Sequence, residues 1–188
     1  YIYIMNFQKK KLLPFILTAV VIILDQITKF LIVKNIPLYS KGPSFFGDFL
    51  EIWHVANPGI AFSFGDSLPY ILRKLCFVAV PLAVIVLVIC VYFRNTEFTN
   101  LQRWSIAGIL GGGFGNIIDR IFRPEGVIDF ISVKFYGLFG FQRWPTFNLA
   151  DSSVVVCGII LFISFFITVS KEGKNKSHAK IIEQDSSN

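Results

Sequence analysis

Four aspartates, Asp25, Asp119, Asp129 and Asp151, sit in or beside long apolar runs of the sequence. An ionised aspartate inside a membrane-spanning helix costs about 2.5 kcal/mol or more, so each calls for a partner or a task. Asp25 and Lys29 stand at i and i+4, on one helix face, and read as an internal ion pair that holds a bundle. Asn116, Asp119 and Arg120, within "GGGFGNIIDR", stand at i, i+3 and i+4. They read as a tightly packed helix ending in an interfacial Asp119–Arg120 pair and, compatibly with that, as a polar cavity into which Asn116 and Arg120 point. Asp129, in "VIDFI", has apolar flanks in a segment too short to span. A carboxylate held there loses hydration and its pKa should rise, unless the position is a strand residue facing water. Asp151, in "FNLADS", stands three residues after Asn148, the spacing of a capping box. The positive end of the helix dipole favours its ionised form. A protonated carboxyl and an ionised one sharing a site can activate a water and protonate a leaving amine.

The elements that would position these groups are membrane helices. Of 188 residues, 54% are hydrophobic and only 16% charged, against about 25% charged in soluble domains. The apolar residues collect in four runs: Leu12 to about Val33, Leu75 to Phe93, Trp104 to Ile118 completed by 119–122, and about Leu149 to Val169. About 20 residues span a bilayer. The first run follows Lys9, Lys10 and Lys11 but has no small-residue cleavage site after it, so it reads as an uncleaved helix. In the third, Gly108/Gly112 and Gly111/Gly115 give two overlapping G-x-x-x-G spacings, which permit close helix approach. The expected fold is an all-α membrane protein: four transmembrane helices with a small extracytoplasmic β hairpin or half-barrel lying on the membrane surface. The hairpin is drawn from "FLEIWHV" and "IAFSF", with "ANPG" as its turn. Residues 1–170 read as one membrane domain, and 171–188 as a polar tail without fixed structure.

Net charge is +6, but the cations flank apolar runs, which points to membrane orientation rather than to nucleic acid. Lys9–Lys11, Arg94 with Arg103, and the lysines after residue 170 place both termini and the 95–103 link in the cytoplasm. Segments 34–74 and 121–148 then face outward, although Arg120, Arg123, Lys134, Arg143, Arg73 and Lys74 run against that bias. The three cysteines, Cys76, Cys90 and Cys157, are scattered and read as small buried hydrophobes. No His/Cys/Glu spacing suits zinc, no phosphate loop is present, and His54 and His178 are the only histidines.

With this topology the third run ends, and the fourth begins, at the outer face. Asp129 and Asp151 can therefore meet there, which suggests a membrane aspartic hydrolase needing no cofactor. Two other classes remain open. A small proton-coupled carrier or channel would also keep aspartates in lipid, though nearer the midplane. A non-catalytic assembly factor would use the glycine-rich helix as a docking face.

Five stretches taken together, "DQITK" (25–29), "NPGIAFS" (57–63), "GGGFGNIIDR" (111–120), "VIDFI" (127–131) and "FNLADS" (147–152), resemble in order the signature blocks of lipoprotein signal peptidase, or signal peptidase II. The resemblance implies an enzyme of the bacterial cytoplasmic (inner) membrane, with its active site near the outer face. It would cut diacylglyceryl-modified prolipoproteins just before the lipidated cysteine, and a globomycin-type inhibitor would occupy its groove. It implies Asp129 and Asp151 as the catalytic pair. Asn57, Gly59, Asn116, Asp119, Arg120 and Asn148 would support the site or touch substrate, and Asp25 with Lys29 would be structural. Membrane lipid and the prolipoprotein are the implied partners, with no metal. Gly113 and Ile60 stand where alanine is usual, and neither is a catalytic position.

Overall fold

A computed structural model describes residues 11–59, 69, 71–72 and 75–185, with side chains as far as Lys171. The chain is mostly helical. Helix α1 (Phe15–Asn35) is followed by strands β1 (Lys41–Phe45) and β2 (Leu50–Asn57). A π-helical turn, Leu75–Ala79, leads into α2 (Val80–Arg94). Then come α3 (Asn100–Phe122), β3 (Val127–Val133) and α4 (Leu149–Asp185).

Three stretches are long and apolar enough to cross a membrane: Phe15–Asn35, Leu75–Arg94 and Leu149–Lys171. Their polarity is inverted relative to a soluble bundle. In α1 the buried residues are Thr18, Val21, Asp25 and Lys29, while Ile16, Val20, Ile23, Leu24 and Ile27 face outward. The polar stripe points inward because hydrocarbon, unlike water, cannot solvate it.

Helix α3 is the hub of this arrangement. It starts at Asn100, earlier than the apolar run suggests, because Thr99 and Gln102 complete a reciprocal capping box. It buries residues along most of its length, so it can carry polar and glycine positions that an outer helix could not. A Cβ at Gly115 would lie 2.7 Å from Asp25 Oδ2, and one at Gly112 would collide with the Ala150 carbonyl. The expected close approach is thus met on two sides, by α1 and by α4. Hydroxyls bond across the same seams: Thr18 Oγ1 donates to Ala107 O at 2.7 Å and Ser153 Oγ to Gly108 O at 2.9 Å. Along the same stretch, Ile85 and Tyr92 of α2 and Ile106, Leu110 and Ile117 of α3 form the apolar core.

The sheet is antiparallel in the order β1-β2-β3. β2 turns back on the preceding strand through residues 46–49 and pairs on its other edge with β3, with Val55 opposite Asp129 and Asn57 opposite Val127. Long-range pairing with β3 sets the register of β2. The second arm of the expected hairpin, 60–64, lies outside the described residues, as do Ile60, Arg73 and Lys74. Beyond β3 the chain loops out and returns: Phe130 N and Ile131 N donate to Phe147 O at 3.0 and 2.7 Å, and Phe147 N donates to Ile131 O at 3.1 Å. That return brings the start of α4 against β3.

Candidate active site

Asp129 is buried on β3, and both of its oxygens are occupied. Asn57 Nδ2, from β2, donates to Oδ2 at 3.0 Å, and Asn148 Nδ2 donates to Oδ1 at 2.8 Å. Asn148 precedes α4 and is itself fully buried. Both bonds of the expected capping box form: Asp151 N donates to Asn148 Oδ1 at 2.9 Å, and Asn148 N donates to Asp151 Oδ2 at 3.1 Å. The remaining proton of Asn148 Nδ2 goes to Asn116 Oδ1 at 3.1 Å, and Asn116 Nδ2 donates to Asp151 Oδ1 at 2.7 Å. Two carboxylates from separate parts of the chain are therefore held by three asparagines, each turning its amide NH2 toward a carboxylate.

The two environments differ. Burial pushes the Asp129 pKa from 3.8 up to about 7, and the nearby Asp151 charge adds to the rise. Hydrogen bonds from Asn57 and Asn148 and the charge of Lys29 act against it. Asp151, by contrast, is half-buried in the first turn of α4. At neutral pH Asp129 exchanges a proton readily, which suits general acid–base work.

Beneath this pair lies a second charged layer. Lys29 Nζ sits 2.8 Å from Asp25 Oδ2, 2.8 Å from Asp119 Oδ2 and 3.0 Å from Asn116 Oδ1. The ammonium has three protons and three acceptors, so it is fully used. Asp119 also pairs with Arg123 Nε at 3.1 Å and accepts from Ile128 N at 3.3 Å. Asp25 Oδ1 accepts from Ala150 N at 3.0 Å, tying α1 to the start of α4.

The expected anchoring of Arg120 by Asp119 does not occur. Successive residues on a helix diverge by 100°, and Asp119 faces Lys29 and Arg123 instead. Arg120 donates to the carbonyls of Phe77 at 3.2 Å and Gly59 at 3.4 Å, and stacks over the Phe77 ring at 5.6 Å. It thereby joins the π-helical turn before α2 to the end of β2, while Gly59 N donates to Asn57 Oδ1 at 3.2 Å. Two participants escaped the sequence reading. Gln26 Nε2 reaches Asp25 Oδ2, Asp119 Oδ1 and Gly115 O at 3.1–3.2 Å, and an amide within an apolar run was the signal for it. Arg123 stands i+4 from Asp119, a spacing also visible in the sequence. His54 belongs elsewhere, its ring Nδ1 lying 2.7 Å from Ile36 O.

Residues 17–167 match the sequence model of a family described as Signal peptidase (SPase) II. The chain belongs to the signal peptidase II family. It is 48% identical to the lipoprotein signal peptidase of Treponema pallidum (strain Nichols), over 84% of this chain and 85% of that protein. Its identity to the Treponema denticola protein of the same name is 47%, covering 92% and 99%. The fold is similar to that of a bacterial membrane enzyme solved by the in meso method at 2.3 Å resolution, with a TM-score of 0.71 and 24% identity over 84% of this chain and 90% of that one. Membership of the signal peptidase II family makes the protein a membrane-embedded peptidase, a hydrolase of peptide bonds.

Proposed function

We propose that the protein is an aspartic endopeptidase that removes the signal peptide from diacylglyceryl-modified prolipoproteins, cutting before the lipidated cysteine, with Asp129 and Asp151 as its catalytic pair. One observation carries the reading: a single buried residue, Asn148, donates to both carboxylates, from its side-chain amide to Asp129 and from its backbone N to Asp151. The names of the signal peptidase relatives support the substrate class.

In this mechanism Asp151 takes a proton from a water whose oxygen attacks the scissile carbonyl carbon. As the carbon–nitrogen bond breaks, Asp129 gives its proton to the departing amine. Asn57, Asn116 and Asn148 hold the carboxylates in place. Arg120 sets the Gly59 backbone at the edge of the groove, and Asp25, Lys29 and Asp119 form the supporting charged layer. A globomycin-type inhibitor would compete for the groove.

The membrane arrangement belongs to the same proposal. Helix α3 is the fourth crossing, both termini are cytoplasmic, and the site opens near the outer face of the bacterial inner membrane. Lys11, Arg94, Arg103 and Lys171 at one end of the helices support that orientation.

The direct test is a gel-shift assay. The purified protein, in detergent, is incubated with a diacylglyceryl-modified precursor, with and without globomycin. Loss of the signal peptide, blocked by the inhibitor and dependent on the lipid, supports the reading. Equal cleavage of an unlipidated precursor would overturn the substrate assignment. Proton flux through proteoliposomes without any proteolysis would favour a carrier.

A further inference from the structure

Among the described residues, the non-glycine positions with left-handed backbone are Tyr39, Phe46, Tyr136 and Phe139, at φ 57°, 53°, 52° and 53°. All four are aromatic. Their relative exposures are 66%, 85%, 70% and 79%. This conformation is unfavourable for bulky side chains, and an exposed ring in water gains nothing to offset it. Residues held against both preferences suggest that the rings have another environment.

Three of the four meet at one end of the sheet. Phe46 lies in the turn between β1 and β2, and Tyr136 and Phe139 lie in the loop after β3. The two turns are tied together: Lys134 N donates to Phe49 O at 2.8 Å, Lys134 Nζ lies 2.6 Å from Asp48 Oδ2, and Arg143 Nη1 donates to Asp48 O at 2.9 Å. The rings therefore project from a braced platform rather than from two independent loops.

The base of that platform runs onto the apolar surface of α4. Phe135 and Trp144, with ring centroids 5.0 Å apart, line a hollow of about 460 Å³ together with Asp151, Ser152, Val155 and Val156, so the mouth of the candidate site opens onto the two valines. Both valines point outward from a helix long and apolar enough to cross a membrane. The aromatic end of the sheet is thus continuous with a surface already assigned to lipid. Lys134 stands 5.2 Å from the Tyr136 ring, a cation beside an amphipathic ring, as at a bilayer–water boundary.

We propose that Phe46, Tyr136 and Phe139 are interfacial anchors that insert between phospholipid headgroups on the side of the membrane where the sheet lies. They would hold the sheet, and Asp129 on β3 with it, at a fixed depth. The inference stands on the membrane fold alone and does not rest on the proposed cleavage reaction.

The test uses the full chain in phospholipid nanodiscs, with Cys76, Cys90 and Cys157 replaced by serine. A nitroxide is placed at Phe46→Cys, at Phe139→Cys, or at Glu125→Cys, an exposed polar position in the turn between α3 and β3. Labels at 46 and 139 should collide more often with oxygen than with a water-soluble nickel chelate, and the label at 125 should show the reverse. Chelate-dominated collisions at both 46 and 139 would overturn the proposal. So would spin–spin broadening that grows with the number of copies per disc, since a second copy would then cover the patch. A label at Leu138→Cys gives a second measure. Replacing Phe46 and Phe139 together with asparagine, which tolerates left-handed backbone, should shift it toward the chelate. An unchanged ratio there would mean that the rings do not set the depth.

Discussion

Lys29 Nζ lies 3.0 Å from Asn116 Oδ1, and this contact joins the buried ion layer to the asparagines that hold the aspartate pair. Because Lys29 and Asn148 both donate to the Asn116 oxygen, its NH2 is left to face Asp151. The ion pair of α1 is therefore part of the same hydrogen-bonded unit as the site. Lys29→Met would leave Asp25 and Asp119 with one cation between them, Arg123. Breaking a buried pair by removing one partner costs about 3–5 kcal/mol, so the thermal midpoint in detergent should fall sharply. Unchanged melting combined with lost turnover would mean that Lys29 serves the reaction alone.

Asp129→Asn and Asp151→Asn should each lower turnover of a lipidated precursor by at least about 10²–10⁴-fold, the usual contribution of general acid–base groups. Circular dichroism and melting should show a folded protein, because the amide keeps the shape of the carboxyl. Full activity in either variant would remove the pair from the mechanism.

The raised pKa of Asp129 gives a pH prediction with a definite sign. Its folded value of about 7 lies above the ordinary 3.8. Between these values the folded state holds a proton that the unfolded chain has lost, so this group's contribution to stability declines as pH rises and is gone above about 7. Turnover that needs the proton on Asp129 should fall as pH rises through about 7. Asp129→Asn should flatten that part of the melting-against-pH curve.

Gly112→Ala should destabilise the bundle, since the new methyl would meet the Ala150 carbonyl, which cannot retreat without moving α4. Overpacking of this kind costs about 1–3 kcal/mol. Gly113→Ala is the contrasting case. Its Cβ would lie 3.0 Å from Ile85 Cδ1, the movable end of a side chain, so yield and melting should stay near those of the parent protein. A common response from both glycines would show that backbone freedom, not helix approach, is what matters at these positions.

Much of the site was legible because polar residues are conspicuous in an apolar chain. Asp25 with Lys29, Asn148 with Asp151 and the paired glycines of α3 all follow from helical spacing within one segment. What spacing could not give was anything settled between segments. β2 pairs with β3, seventy residues away. Asp119 turns from Arg120 to Lys29 because the direction of a side chain around the helix outweighs adjacency in the chain. Asn57 reaches Asp129 only because β2 and β3 pair with Val55 opposite Asp129, and no local pattern announces that register.

The backbone bonds between Phe147 and the 130–131 segment clamp the chain on either side of the intervening excursion. Its flanks at 132–135 and 142–144 are themselves bonded to each other, to β2 and to the β1–β2 turn. What can change in length without shifting Asn148 against Asp129 is the tip at 137–141: a graft there would re-dress the mouth of the groove while the machinery behind it stayed in place.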